Sequence, residues 1–376
     1  MISLRKKAIQ HVRKLKSIFC CASRLDTMQS RCSQVPYIEV PPSKMTTIFG
    51  QLVVGPPGSG KSTYCKYICD NLRQLGRNAK IINLDPANDC LPYKPTIDIR
   101  QLITIERVMS EAKLGPNGSL IHCVETLDEN FAWLYDKIVT LLEEESKLYQ
   151  DREKLLNDGD PDKSTTGDES SSDSMKNRPY LLFDCPGQSE LYTHHRSFKG
   201  IIRKLLSNKS KKHFDLRLVC MNLCDAYHAS DLGKYMSLVM TALATMANLE
   251  LPHVNVLSKV DKMESYGKTR FNLDFYCEVM DIKYLLDTEL DSPFFEKYRK
   301  LSLALADIIQ DYGLVTFIPL NIQQAEDILK VLQSADRANG YLCDDVDLAI
   351  LQLNPNLMEM ASGRRLESLK DATIQI

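Results

Sequence analysis

The chain has no run of about 18 or more apolar residues, so no segment reads as a membrane-spanning helix. None of its 12 cysteines forms a Cys-x-x-Cys pair, which removes the usual signature of structural zinc. The cysteines fall in apolar stretches instead: Cys65 and Cys69 at helical spacing, Cys220 and Cys224 within a buried strand and the turn after it. That usage belongs to buried free thiols in a reducing compartment. An excess of charge is missing too. The formal net charge is −2, so no overall field argues for a nucleic-acid or anionic-membrane partner. What remains is a chain of 376 residues, 44% hydrophobic and 26% charged, ordinary for a globular protein and long enough for a sizeable core.

Residues 1–44 differ from the rest. Arg5, Lys6, Lys7, Arg13, Lys14, Lys16, Arg24 and Arg31 share the segment with Asp26, the first acid. Such a start fits either a mitochondrial transit peptide or a disordered basic extension. Neither an apolar face nor a cleavage site is clear, which favours the extension; Met45 would make a natural beginning. From there the pattern is α/β. "TTIFGQLVV", "AKIINLD", "PYLLFD", "LRLVCMNL", "HVNVLS" and "LVTFIPL" read as buried strands separated by helix-length segments. That alternation predicts a three-layer α/β fold, a mostly parallel sheet covered by helices on both faces, over residues 45–342. A helix is expected to end at Gly76, another to start near Thr104 without a capping box, and a long amphipathic one to span residues 127–150. Residues 155–177 are rich in Asp, Ser, Lys and Gly and read as a disordered insert. Residues 343–376 carry little pattern and read as a mobile tail.

One motif fixes the chemistry. Gly55-Pro56-Pro57-Gly58-Ser59-Gly60-Lys61-Ser62-Thr63 satisfies GxxxxGK[ST], directly after a strand and before a helix. Glycines let backbone N–H groups curl around a phosphate, and the helix N-terminus adds partial positive charge. Lys61 would reach the β and γ phosphates, and the Ser62 hydroxyl would ligate Mg²⁺. A second strand ends in Asp184, followed by Cys185-Pro186-Gly187-Gln188. Asp184 can hold magnesium through water, Gly187 can offer its N–H to the γ-phosphate, and Gln188 is placed to orient an attacking water. Base choice comes from Ser258-Lys259-Val260-Asp261, a variant of [NT]KxD with Ser in the first position. There the Asp261 carboxylate would pair with the guanine N1–H and 2-amino group, and the Lys259 stem would cover the ring. "FIPLN", Phe317 to Asn321, could complete that pocket.

"NLDPAN", "LGPNG", "DCPGQ" and "LSKVD", in this order, resemble the GPN-loop GTPases, a dimeric branch of the P-loop NTPases. The likeness runs from about Thr47 to Tyr341 and omits the basic start, the insert and the tail. It implies GTP and GDP as ligands with Mg²⁺, and a homodimer or a heterodimer with paralogues. It implies that Gly115, Pro116 and Asn117 form a loop reaching the partner's nucleotide site. Asp85, of "NLDPA", would sit near magnesium and the attacking water as a candidate general base. The resemblance also implies a cytoplasmic protein with nuclear shuttling, with RNA polymerase subunits or their assembly factors as clients. A scaffold with negligible turnover and a P-loop kinase of a small metabolite are the alternatives. Gln188 and the Lys259/Asp261 pair argue against the kinase, and no Arg-rich lid segment is apparent. The Met-rich stretch Tyr235–Leu249 reads as a core helix first and as a wall for a client peptide second.

Overall fold

The computed structural model describes residues 46–88, 90–157, 179–207, 214–266, 271–279, 282–288 and 293–341. The basic start, most of the Ser/Asp-rich segment and the C-terminal tail lie outside them. Seven strands are placed: β1 (Thr46–Val54), β2 (Asn78–Asn83), β3 (Ile97–Asp98), β4 (Pro179–Asp184), β5 (Phe214–Asp225), β6 (His253–Ser258) and β7 (Phe317–Leu320). They form one sheet in the order β3-β2-β4-β1-β5-β6-β7, every neighbouring pair parallel. Parallel neighbours need long crossovers, and helices supply them. These are α1 (Lys61–Gln74), α2 (Ile105–Ala112), α3 (Pro116–Glu129), α4 (Phe131–Asn157), α5 (Glu190–Thr193) and α6 (Arg196–Ser207), then α7 (Leu232–Leu249), α8 (Met263–Tyr266), α9 (Leu273–Cys277), α10 (Ile282–Thr288), α11 (Pro293–Tyr312) and α12 (Ala325–Asn339).

The period-two alternation of β1 divides the core. Ile48 and Leu52, with Leu181 and Phe183 of β4, pack against Leu127, Leu134, Ile138, Phe198 and Ile202 from α3, α4 and α6. Phe49 and Val53, with Tyr180 and Leu182, pack against Tyr64, Ile68, Val331 and Leu332 from α1 and α12. A third cluster joins α7 to α9, α10 and α11 beyond β5 and β6. Burial on both faces is why these strands read as continuous apolar runs. Seven of the eight described cysteines are buried, and all eight are free thiols. No described helix is long and apolar enough to cross a membrane.

Several boundaries differ from the sequence expectation, each for a local reason. β3 was not expected; two residues carry too little pattern to announce a strand. The helix expected over residues 127–150 is two helices, broken at Asn130, whose side chain turns back to the Thr126 carbonyl at 2.9 Å. α4 continues to Asn157, so the first three residues of the expected insert are helical; the rest of 155–177 is outside the described residues. Gly115-Pro116-Asn117-Gly118 has the composition of a turn but starts a helix. Lys113 takes the left-handed conformation (φ 53°), Gly115 is extended, and Pro116 opens α3, a position where its missing N–H costs nothing. The expected stops hold elsewhere. Gly76, at φ 78°, follows α1, with the Arg77 N–H bonded back to the Leu72 carbonyl at 2.9 Å. Thr104 precedes α2 with no side-chain cap.

The sheet order places the functional end. From β1 the chain crosses to β2 on one side, and after β4 it crosses β1 to β5 on the other. Ligands in such sheets bind where the connections diverge, at the carboxyl ends of the strands. Val53 is in register with Asp184 and Val54 with Asn222, Asn83 with Asp184, and Asp225 with Ser258. Val54, Asn83, Asp184, Asp225 and Ser258 therefore share one rim.

Candidate functional site

The rim is built around the turn from β1 into α1. Gly55 has φ 145°, and a Cβ there would lie 2.3 Å from the Leu223 carbonyl oxygen, so only glycine permits β5 to close against the loop. Gly58 and Gly60 also have positive φ, while Pro56, Pro57 and Ser59 complete the curl and Lys61 begins the helix. Ser62 and Thr63 follow in its first turn. Lys61 is buried, and its Nζ donates to the carbonyls of Gly55 at 3.1 Å and Pro56 at 3.0 Å. Burial holds its pKa below the ordinary lysine value, and Asp184 and Asp85 pull it back upward. Those influences put the ammonium among two carboxylates drawn from β4 and from the segment after β2. A Cβ on Gly187 would stand 2.9 Å from Pro57 Cα and 3.1 Å from Lys61 Nζ, so glycine at that position lets the Asp184–Gln188 turn lie directly on the phosphate loop.

The flank toward β4 and β2 is the more tightly tied. Asp184 is fully buried. Its Oδ2 accepts from the Tyr93 hydroxyl at 2.6 Å, while Oδ1 is buried without a hydrogen-bond partner. Burial raises its pKa above the usual carboxylate range, against the pull of Tyr93, Ser62 and Lys61. The Ser62 hydroxyl accepts from Asn88 Nδ2 at 2.9 Å. Asp85 caps its own turn, its Oδ1 accepting from the Ala87 N–H at 3.0 Å, and burial raises its pKa too. The buried Asn83 side chain holds this turn, donating to the Asp85 carbonyl and to Asp98 and accepting from the Asp85 N–H. Arg100 grips Asp98 and donates to the Asn88 carbonyl at 3.1 Å.

Among the described residues no group of three or more His, Cys, Asp or Glu side chains is placed to hold a metal ion. Magnesium asks for less: one or two carboxylates, with phosphate oxygens and water filling the rest of its shell. The unpartnered Asp184 Oδ1 beside the Ser62 hydroxyl is an oxygen-donor pair of that kind, so the residues fit Mg²⁺.

On the β5 and β6 flank the Ser258 hydroxyl donates to the Ser59 carbonyl at 2.9 Å and lies 3.1 Å from that of Cys224. Ser258 thus ties the Lys259–Asp261 segment to the phosphate loop. Lys259 takes the left-handed conformation at φ 59°, and its Nζ donates to Asp225 Oδ2 at 2.7 Å. Asp261 is exposed in the short turn Val260–Lys262. Leu320 of β7 pairs with Ser258, which brings Phe317–Asn321 to the same end.

Other expected residues stand apart or unengaged. Gln188 is half-buried with an unpartnered Oε1. Glu190, two residues past Gln188, is exposed at the start of α5. Gly115, Pro116 and Asn117 are all exposed at the start of α3. The Met-rich helix α7 is partly core and partly the wall of a groove. Tyr235, Met236, Val239 and Met246 belong to the core, while Met236 and Met240 also line a groove of about 630 Å³ with Leu301 and Leu305 of α11. Sequence reasoning missed Tyr93, Asn83, Asn88, the Asp98–Arg100 pair and Asp225. Only Asn88 and Asn83 lie within a recognised motif; Asp225 ends an apolar strand, as Asp184 does, and that parallel could have flagged it.

Known proteins give the same picture. A family profile described as "Conserved hypothetical ATP binding protein" matches residues 53–341. A GPN-loop GTPase 2 of Danio rerio is 45% identical over 304 residues, which is 81% of this chain and 85% of that protein. The GPN-loop GTPase QQT1 of Arabidopsis thaliana is 41% identical over 81% of this chain and 89% of its own length. In fold, the crystal structure of an apo GTPase from Pyrococcus abyssi matches with a TM-score of 0.55 at 21% identity, covering 80% of this chain and all of that one. With its phosphate loop, its buried strand-end aspartate and relatives this similar over most of its length, the chain belongs to the GPN-loop GTPase family.

Proposed function

We propose that this GTPase is a Mg²⁺-dependent dimeric switch that serves the assembly and nuclear import of RNA polymerase complexes. The observation that carries the enzymatic part is the convergence of Lys61, Ser62, Asp85 and Asp184 at one strand rim. Lys61 exchanges its two carbonyl partners for the β and γ phosphate oxygens when nucleotide enters, and the loop amides hold the rest of the chain of phosphates. Ser62 and Asp184 would hold Mg²⁺, which would supply positive charge against the phosphates. Asp85, with its raised pKa, accepts a proton from the attacking water, which Gln188 orients while the Gly187 N–H meets the γ-phosphate. Lys259 and Asp261 read guanine.

The dimer reading rests on the family resemblance and on Asn117, an exposed polar residue at the start of a helix whose side chain makes no hydrogen bond to the described residues. It is tested by mixing an Asn117→Ala subunit with a Lys61→Ala subunit. In a mixed dimer the Asn117→Ala subunit owns the working nucleotide site and receives an intact Asn117 from its partner, so activity rises on mixing. No recovery, with dimers confirmed by sedimentation, rejects action across the interface. The client role rests on the resemblance alone. Depleting the protein should leave RNA polymerase subunits in the cytoplasm, with the parent and not the Lys61→Ala variant restoring import.

A further inference from the structure

We infer that Tyr93 is a positioning residue for the metal: its hydroxyl fixes the Asp184 carboxylate so that Oδ1 is presented to Mg²⁺. This deepens the proposed GTPase reading and rests on it. Three observations converge. The Tyr93 hydroxyl donates to Asp184 Oδ2 at 2.6 Å, a short charge-assisted bond. The other oxygen, Oδ1, is buried with no hydrogen-bond partner, an arrangement that is costly unless something else uses that oxygen. Tyr93 itself comes from the connection between β2 and β3, and its ring packs half-buried against the core cluster of α1 and β1.

The chemistry follows from which groups can donate. A carboxylate facing a cation through one oxygen still has a second oxygen with lone pairs to satisfy. If the second oxygen were free, the carboxyl could rotate about χ2 and offer either oxygen or both. A phenol at Oδ2 removes that freedom, because Tyr93 donates to one oxygen and leaves the other for the metal or its water. Partners of this kind set ligand orientation, and removing one typically weakens metal affinity about 10- to 100-fold. The same segment carries Asn88, whose Nδ2 donates to the Ser62 hydroxyl oxygen at 2.9 Å. The connection after β2 thus supports both proposed magnesium ligands from outside, Ser62 through Asn88 and Asp184 through Tyr93. The Arg100 guanidinium, bonded to the Asn88 carbonyl, steadies it.

The test uses the full chain loaded with a fluorescent GDP analogue, following its release against Mg²⁺ concentration. Tyr93→Phe keeps the ring and its packing and deletes only the hydroxyl. The expected result is a half-saturating Mg²⁺ concentration about 10-fold higher than in the parent, with release in excess chelator unchanged. Turnover at saturating GTP should fall at low Mg²⁺ and recover at high Mg²⁺, with KM for GTP unaltered there. In an Asp184→Asn background, Tyr93→Phe should have little further effect on the Mg²⁺ dependence. A Tyr93→Phe protein with the parent's Mg²⁺ dependence overturns the role of Tyr93 alone. An equal shift from Tyr93→Phe with and without Asp184 shows that Tyr93 does not act through that carboxylate, and rejects the proposal. A parent whose nucleotide release ignores Mg²⁺ overturns the metal reading and the role of Tyr93 with it.

Discussion

The two flanks of the phosphate loop are built on different terms. Toward β2 and β4, Asp184 is fully buried and Asp85 half-buried, burial raises the pKa of both, and the groups there are held by neighbours fixed in turn: Tyr93 on Asp184, the Ala87 N–H and Asn83 around Asp85, Asn88 on Ser62. Toward β5 and β6, Asp261 is exposed and Lys259 is held by one ion pair at the surface of the rim. Charge stabilisation at a reacting phosphate rewards groups placed in advance, out of water, because they need not reorganise during the step. Selection of a base needs only matched donors and acceptors, and a wrong base is rejected by leaving one of them unpaired. Under the proposed function, the first flank would govern turnover and the second which nucleotide is turned over.

Lys61, shared by both flanks, gives the largest expected effect. Lys61→Ala removes charge-assisted contacts to two phosphates, so tight binding of GTP and GDP should be lost altogether in a calorimetric titration. The nucleotide-free protein should melt no lower than the parent, because the substitution removes a buried ammonium. A variant that binds GTP as the parent does would remove the phosphate-loop assignment and the comparison with it.

Asp261→Asn acts on the base flank only. It removes the acceptor for two donors of guanine, a loss of about 2–4 kcal/mol in the preference for GTP over ATP. Competition between the two nucleotides measures it. An unchanged ratio would show that Asp261 does not read the base. Ser258→Ala should be milder. It breaks the bonds to the Ser59 and Cys224 carbonyls, a net cost of about 1 kcal/mol in stability, with selectivity kept because the side chain faces the loop and not the base. A selectivity change in Ser258→Ala would show that the serine reads the base after all.

The smallest effect is in the metal-free protein. The folded-state pKa of Asp184 is raised, so its proton is bound more tightly folded than unfolded. Its contribution to stability is present below the unfolded carboxylate value of about 4 and is lost as pH rises through the higher folded value. Asp184→Asn should therefore raise the melting temperature at neutral pH without metal or nucleotide, and the gain should vanish as pH falls toward about 4. A gain that persists unchanged in acid would mean that burial of the charged form is not its source.

How much of this was legible in the sequence follows the same division. Strands buried on both faces announce themselves as apolar runs, and the phosphate loop is a local pattern whose glycines have backbone reasons, so β1, β4, β6 and the loop are readable residue by residue. Asp184 stands at a strand end beside that loop, and register with β1 put it where the pattern implied. Tyr93 was not legible, because its partner lies 91 residues away and it belongs to no short pattern; Asp225, with its partner 34 residues away, was signalled only by its place at the end of an apolar strand. The start of α3 was misread for the opposite reason. Gly-Pro-Asn-Gly is a turn signature, yet Pro at the first position of a helix obeys the same φ restriction as Pro in a turn. The break at Asn130 shows the limit of periodicity: α3 and α4 both carry an apolar face, and only the backbone reveals that they are separate.

The division of labour is tested most directly by initial rates of GTP and ATP hydrolysis at saturating Mg²⁺, in parent, Asp184→Asn and Asp261→Asn. The account predicts that the parent strongly prefers GTP, that Asp184→Asn is slow with both nucleotides at an unchanged ratio, and that Asp261→Asn loses the ratio by lowering GTP turnover efficiency toward that of ATP. A parent that hydrolyses ATP as well as GTP, or an Asp184→Asn variant that changes the ratio and spares the rate, would contradict it.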